Sequence, residues 1–178
     1  MDLMQGLLTR RSVRKYQNRS IDRDVIERII AAAQHSPSAH NHRPWEFYVI
    51  RDKIFMEELR FVQRWTSFAK DAACVIIVCG DNDRAFCRAK EDEQWSFIDV
   101  DCAIATQSLM LAAWAEGIGS CYCGAAPMPK VVAALSEKLG LPENIRPFAI
   151  VPMGYPAEEP KQPNDRFDES KIHWIEKL

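Results

Sequence analysis

The sequence has no long apolar run. Its longest apolar stretch, residues 109–115 (LMLAAWA), is far shorter than the roughly 18 residues that a membrane-spanning helix needs. The first residues, MDLMQGLL, lack the basic segment and the small-residue cleavage site of a secretory signal. The formal net charge of −2 argues against a polyanionic partner. We therefore expect a cytoplasmic protein that binds neither membranes nor nucleic acid.

Motifs for side-chain catalysis or metal binding are also missing. The sequence contains no G-x-G-x-x-G dinucleotide loop and no evident Cys–His or Ser–His–Asp constellation. Most of the six cysteines lie inside apolar runs, where a thiol behaves as a small hydrophobe. Cys121 and Cys123 are separated by a single residue, too close for a zinc knuckle, and no histidine lies nearby. We expect no metal site and no catalytic side chain, while a redox role for these two thiols stays open.

Apolar periodicity and chain-breaking residues predict alternating helices and strands. After a short N-terminal helix, helices are predicted from Ser20 to before Pro37, over 52–70, over 91–116 and from Pro129 to Gly140. Strands are predicted over 45–51, 73–80, 120–127 and 146–156, followed by an extended tail. This order is typical of an α+β or three-layer α/β sandwich. The length fits a single domain over residues 1–178.

The longest predicted helix has no polar face beyond its acidic start. Residues 102–115 (CAIATQSLMLAAWA) are apolar on almost every side before Gly117 and Gly119 end the helix. A helix without a polar face must be buried all round, and a chain of this size seldom encloses one alone. We therefore expect a partner subunit that completes a homodimer.

A basic cluster lies near the N-terminus, in the stretch LLTRRSVRKY. Arg10, Arg11, Arg14 and Lys15 flank the hydroxyl group of Ser12. Since the whole chain is slightly acidic, this local positive charge suits one compact anionic group such as a phosphate. The competing interpretation is an ordinary solvated face, because charge runs usually lie in water.

Four stretches, taken in order, resemble the FMN-dependent nitroreductase family. They are RRSVRKY, SPSAHNHRPWEFYVI, AEGIGSCYCGAAP, and MGYPAEEP followed by Arg166. The resemblance covers nearly the whole chain. It implies a nitroreductase-like three-layer α/β/α sandwich of the α+β class, built as an intertwined homodimer with two FMN sites in the subunit interface.

The resemblance also implies roles for individual residues. It places Arg10, Arg11, Ser12 and Arg166 at the FMN phosphate and Arg14 at the pyrimidine edge of the flavin. It places Pro37, Ser38 and Asn41 against the flavin held mainly by the other subunit, and His40 on the substrate face. It places Gly124 and Ala125 where a backbone N–H lies near flavin N5. An Asn and Lys pair that the family carries has no clear counterpart near residues 63–70. Gln63 and Arg64 are the alternatives there.

The activity implied by the resemblance is FMN-dependent reduction of nitroaromatics, quinones or related small acceptors. NAD(P)H would be the co-substrate, and hydride transfer would follow ping-pong kinetics. Two alternatives stay open. One is a non-catalytic flavin-binding or dimerisation module, and the other is a specialised family member acting on flavin or on a halogenated substrate. The specialised branches depend on extra lid segments, for which this chain leaves little room.

Overall fold

The chain forms α-helices, β-strands and short 3₁₀ helices in the computed structural model, which describes residues 2–90, 93–161 and 164–176. The helices are α1 (Leu3–Thr9), α2 (Arg23–Gln34), α3 (Lys53–Val62), α4 (Ile98–Ala115) and α5 (Pro129–Leu139). The strands are β1 (Trp45–Ile50), β2 (Cys74–Asp81), β3 (Cys87–Lys90), β4 (Glu93–Ser96), β5 (Gly119–Ser120), β6 (Cys123–Gly124) and β7 (Ile145–Gly154). Short 3₁₀ helices occupy Ala39–Asn41, Arg64–Asp71 and Glu169–Lys171.

An antiparallel sheet forms the middle layer. Its strand order is β1-β2-β7-β5, with β6 also paired to β7, while β3 and β4 form a separate hairpin. Side chains of β2 alternate between two core clusters. Ile76 and Val78 pack with residues of α2 and α4, whereas Val75 and Ile77 pack with residues of α3 and α5. Helices therefore cover both faces of the sheet, and the predicted three-layer α+β class is confirmed.

The helix predicted over residues 52–70 is wrong in its second half. α3 ends at Val62, because the backbone of Gln63 is extended, with φ −136° and ψ 106°. The Gln63 side chain then accepts a hydrogen bond from the Trp65 N–H at 3.2 Å, and the chain continues as 3₁₀ turns. This break directs residue 63 towards the sheet.

The helix predicted over residues 91–116 begins too early. Residues 93–96 form β4, and α4 starts only at Ile98, while residues 91–92 lie outside the described part of the chain. Trp95 suits a strand better than a helix. The acidic residues that favour a helix N-terminus are Asp99 and Asp101, which lie in the first turn of α4.

Within the single chain, α4 is buried along one side only. Cys102 and Leu109 are fully buried, but Val100 and Ile104 are 51% and 36% exposed. A single chain therefore leaves one side of this apolar helix open, and its burial by a partner subunit stays a prediction. Among the described residues, no helix is both long and apolar enough to cross a membrane. The cytoplasmic location expected from the sequence stays a prediction.

A close approach at Gly119 makes the first testable prediction. A Cβ at Gly119 would lie 2.6 Å from the Val13 side chain. We expect Gly119→Ala to lower the free energy of unfolding by roughly 1–3 kcal/mol, measured by urea denaturation. Gly124→Ala is the matched control, because its added Cβ meets no atom closer than 3.4 Å. Equal losses in the two variants would contradict this account of Gly119.

Candidate functional site

The basic segment is attached to the edge of the sheet. The Val13 N–H donates to the carbonyl oxygen of Ser120 at 2.9 Å, and Ser12 forms a parallel bridge with Ser120. The Tyr16 hydroxyl donates to the Val13 carbonyl at 2.7 Å. The Val13 side chain is buried, whereas Ser12 and Arg14 are exposed. A fixed extended backbone therefore presents Ser12 and Arg14 outwards.

Arg10 and Arg166 line a common cleft of about 690 Å³. The Arg10 Nη1 atom is buried and has no hydrogen-bond partner among the described residues. Burial lowers the pKa of Arg10, and the positive charges of Arg11 and Arg166 act in the same direction. Asp165 also lines the cleft, where it accepts a backbone N–H at 2.9 Å. Because an unmatched buried donor is costly, this cleft fits an anion with several acceptor oxygens.

Arg11 and Ser12 face the neighbouring side of the same segment. Together with Arg14 and Lys15 they line a smaller cleft of about 290 Å³. Lys15 is paired there with Glu158 at 2.7 Å. The four residues predicted to bind the FMN phosphate thus fall into two pairs. Arg10 and Arg166 line one cleft, and Arg11 and Ser12 line the other.

A third pocket, which we call the Arg14 pocket, has a volume of about 460 Å³. It is lined by Arg14, Gln63, Cys121, Cys123 and Gly124, together with aromatic side chains of the 3₁₀ segment. The guanidinium carbon of Arg14 is 6.0 Å from the ring centroid of the aromatic residue Phe68. A cation and an amide beside apolar walls can hold the polar edge of a planar heterocycle.

The structure distinguishes Gln63 from Arg64, which the sequence left as alternatives. The Gln63 side chain is buried, and its Nε2 donates to the Gly124 carbonyl at 3.0 Å. Arg64 lines the same pocket, but its guanidinium stacks 4.4 Å from the ring centroid of Trp65. The geometry therefore favours Gln63 as the amide of the Arg14 pocket.

The strand predicted over residues 120–127 is two short strands, β5 and β6, which pair with β7 in the same register. The N–H groups of Cys121 and Ala125 donate to β7 at 3.2 and 2.9 Å. Alternate N–H groups of a strand point to opposite sides, so the N–H of Gly124 points away from β7. Ala125 is fully buried, and its N–H is used within the sheet. Of the two predicted positions, the geometry favours Gly124.

The loop after α2 holds an unusual backbone. His40 and Asn41 have φ values of 49° and 58°, a left-handed conformation that costs roughly 1–3 kcal/mol for a residue other than glycine. The Ala39 N–H donates to Asp101 Oδ1 at 3.0 Å, and Ser38 Oγ accepts a backbone N–H at 2.8 Å. These contacts with α4 and within the loop enforce the strained conformation, which is typical of binding sites.

This loop does not reach the clefts of the basic segment within one chain. Its residues predicted to contact flavin or substrate are Pro37, Ser38, His40 and Asn41. None of them lines the cleft of Arg10 and Arg166 (the Arg10 cleft), the cleft of Arg11 and Ser12 (the Arg11 cleft) or the Arg14 pocket. The predicted site is thus divided into two separate groups of residues.

His40 packs against an aromatic cluster that the sequence analysis missed. Its ring centroid is 4.1 Å from that of Phe86. Phe86 in turn lies 5.3 Å from Trp95 and 6.1 Å from Phe97. The sequence assigned the last two residues to a helix, so the hairpin that brings them beside Phe86 gave no recognisable signal. The cluster provides an aromatic wall next to the strained loop.

Cys121 and Cys123 both line the Arg14 pocket, where the Cys121 thiol donates to the Tyr122 carbonyl at 3.9 Å and the Cys123 thiol donates to the Trp65 carbonyl at 3.8 Å. The neighbouring Cys123 thiol, the positive charge of Arg14 and the Ser12 hydroxyl lower the pKa of Cys121 to about 7 despite burial. The neighbouring Cys121 thiol and burial raise the pKa of Cys123. These thiols are therefore more than the passive apolar residues of the sequence interpretation.

The fold and the clefts define the class of protein. A three-layer α+β sandwich carries a cationic cleft and a separate pocket for a planar group along one sheet edge. Residues 7–155 match the model of the nitroreductase family. The chain belongs to this family, and the resemblance inferred from the sequence is confirmed.

Individual relatives agree with this assignment. A protein of Methanothermobacter thermautotrophicus, provisionally named NADH dehydrogenase/NAD(P)H nitroreductase, is 37% identical over 97% of this chain and 86% of its own. A solved Bacteroides thetaiotaomicron structure with the same provisional name has a TM-score of 0.87 and 32% identity, covering 97% and 96% of the two chains. An FMN-dependent nitroreductase of Clostridium difficile has a TM-score of 0.85 and 27% identity, covering 97% and 99%.

Proposed function

We propose that this nitroreductase-family oxidoreductase binds FMN and uses NAD(P)H to reduce nitroaromatics, quinones or related small acceptors. The observation that carries the proposal is the buried, unpartnered Nη1 of Arg10 in the cleft that it shares with Arg166. A phosphate monoester brings about −1.5 to −2 charge and three acceptor oxygens to such a cleft. One relative is named an FMN-dependent nitroreductase and another an NAD(P)H nitroreductase, and these names support FMN as the cofactor and NAD(P)H as the co-substrate.

The Arg14 pocket suits the ring system of the same cofactor. FMN, when bound, supplies the acceptor of hydride from NAD(P)H and the donor to the second substrate. The protein itself orients the flavin ring and places charge beside it. Arg14 stabilises negative charge at the pyrimidine edge of the ring, Gln63 offers an amide there, and the N–H of Gly124 faces away from the sheet ladder. We assign no nucleophile or general base among the side chains.

We also propose that the site is completed in a homodimer. The strained His40 loop is separate from the clefts of its own chain, so a second copy is needed to bring it to a flavin. The apolar residues Val100 and Ile104 of α4 are exposed in the single chain, as are Leu7 and Leu8 of α1. Covering such a surface with a second copy removes apolar area from water, which stabilises the assembly.

The dimer gives a prediction of its own. Ile104→Glu is expected to disrupt the assembly, because it buries an unpaired carboxylate in an apolar interface. Sedimentation velocity at micromolar concentration should show a dimer for the unchanged chain and a monomer or unfolded chain for the variant. Glu57→Ala is the control, since it changes an exposed residue of α3. A folded monomer of the unchanged chain that carries FMN contradicts the proposal.

The phosphate cleft predicts which arginines govern FMN affinity. Arg10→Ala and Arg166→Ala should each weaken FMN binding by about 1.5–3 kcal/mol, the scale of a hydrogen bond to a charged group. Arg14→Ala should retain FMN better but slow its reduction by NAD(P)H, because the charge beside the ring is lost. Fluorescence titration with FMN and stopped-flow reduction measure the two effects. Arg60→Ala, an exposed arginine paired with Glu57, is the control.

Steady-state kinetics test the activity itself. We expect anaerobic NAD(P)H to reduce the bound flavin and a panel of nitroaromatics and quinones to reoxidise it, with parallel double-reciprocal plots. This pattern follows if the nicotinamide leaves before the acceptor enters the same face. Intersecting plots contradict the ping-pong order. Tight FMN binding without oxidation of NAD(P)H favours the non-catalytic module instead.

A further inference from the structure

A fourth cavity, which we call the lysine cleft, adjoins the Arg14 pocket and has a volume of about 440 Å³. Its lining includes Arg14, Lys15, Lys53 and Lys70, together with Tyr16 and Asp71. Arg14 lines both cavities. The ring centroid of Tyr16 in the lysine cleft is 6.4 Å from that of Phe68 in the Arg14 pocket. The lysine cleft and the Arg14 pocket therefore share one wall.

The positive charge of the lysine cleft is not neutralised from within. Its lining holds four cationic side chains and one carboxylate, that of Asp71. Of these four cations, only Lys15 is paired with a carboxylate in the described part of the chain, at 2.7 Å. The whole chain has 25 acidic and 23 basic residues, so this excess of positive charge is local. A local excess of positive charge in a cleft attracts an anionic ligand.

The walls of the lysine cleft are held in place by hydrogen bonds within the chain. Nζ of Lys53, the first residue of α3, donates to the Ala72 carbonyl at 2.7 Å. Ala72 directly follows the 3₁₀ segment that ends with Lys70 and Asp71, so this bond joins the two walls. The Tyr16 hydroxyl lies 2.7 and 3.1 Å from two backbone carbonyl oxygens. Because an ammonium group has three N–H donors, Lys53 keeps two of them for a ligand.

A phosphate monoester is the anion that suits this cleft, since it carries about −1.5 to −2 charge and three acceptor oxygens. The phosphate of FMN is proposed to bind in the Arg10 cleft, which none of these lysines lines. NADPH carries another monoester, on the 2′ position of its adenosine ribose, where NADH has a hydroxyl group. Dinucleotide sites recognise that hydroxyl with a carboxylate, whereas a cation accommodates the 2′-phosphate. The excess of cations over carboxylates in the lysine cleft therefore favours NADPH.

We propose that the lysine cleft binds the 2′-phosphate of NADPH and so makes NADPH the preferred co-substrate. This inference rests on the proposed function, in which the nicotinamide delivers hydride to a flavin ring in the Arg14 pocket. With the nicotinamide at that ring, the adenosine end of the dinucleotide extends across the shared wall into the lysine cleft. Lys53 and Lys70 donate N–H groups to the phosphate there, and Asp71 opposes it.

The kinetic test compares kcat/KM for NADPH and NADH, with the protein as purified and at low ionic strength. The unchanged chain should prefer NADPH by about tenfold or more. Lys70→Ala should remove most of this preference by lowering kcat/KM for NADPH alone, while Asp71→Asn should increase the preference. Lys130→Ala is the matched control, because it removes an exposed lysine of α5 that lines none of these four cavities.

A binding test is independent of turnover. In isothermal titration calorimetry of the FMN-loaded protein, adenosine 2′,5′-bisphosphate should bind about tenfold more tightly than adenosine 5′-monophosphate. Lys70→Ala should abolish this difference, and Lys130→Ala should keep it. Excess FMN should not displace the bisphosphate, because the FMN phosphate binds in the Arg10 cleft.

The outcomes separate this inference from the proposed function. If the unchanged chain uses NADH as well as NADPH, or if Lys70→Ala lowers kcat/KM equally for both, the inference is overturned while the proposed activity stands. Displacement of the bisphosphate by excess FMN also overturns it, because the cleft then belongs to the flavin. If neither dinucleotide reduces the flavin but the bisphosphate binds through Lys70, the phosphate site stands and the proposed activity is wrong.

Discussion

The pairing of β5 and β6 with β7 in one register is the constraint on which the Arg10 cleft and the Arg14 pocket depend. On one side of residues 119–125, the backbone hydrogen bonds to β7 fix the register and direction of the segment. On its other side, the Ser120 carbonyl accepts the Val13 N–H and so locates the basic segment. Gly119 permits this approach because a side chain there would overlap Val13. A displacement of one residue would turn Arg14 inwards and Val13 outwards.

Patterns with a local physical cause allowed much of the fold to be predicted from the sequence. The helix before Pro37 and the helix that ends at Gly140 correspond to α2 and α5, and Gly140 has the left-handed conformation that ends a helix. The apolar run at residues 73–80 is β2, which is buried on both faces. Each of these elements is specified by residues within itself or at its ends.

Features that depend on contacts between distant parts of the chain could not be predicted from the sequence. At the helix break, the Gln63 side chain donates to the carbonyl oxygen of Gly124, 61 positions away in the chain. The β3–β4 hairpin places Phe86 against Trp95 and Phe97, although the acidic residues between them suggested the first turn of a helix. The state of the site residues also could not be predicted from the sequence. Motif resemblance named Arg10 and Arg166, but only the folded chain shows that Arg10 Nη1 is left without a partner.

The charge distribution explains why this site is prepared for an anion rather than paired internally. The chain has 25 acidic residues against 23 basic ones, so carboxylates that could neutralise Arg10 are plentiful. Yet the lining of its cleft contains a second arginine, and the carboxylate of Asp165 accepts a backbone N–H. Keeping Arg10 close to Arg166 and partly desolvated opposes folding, as the lowered pKa of Arg10 indicates. An anion that binds the folded state alone offsets this cost, so stability and cofactor binding are linked through the same guanidinium groups.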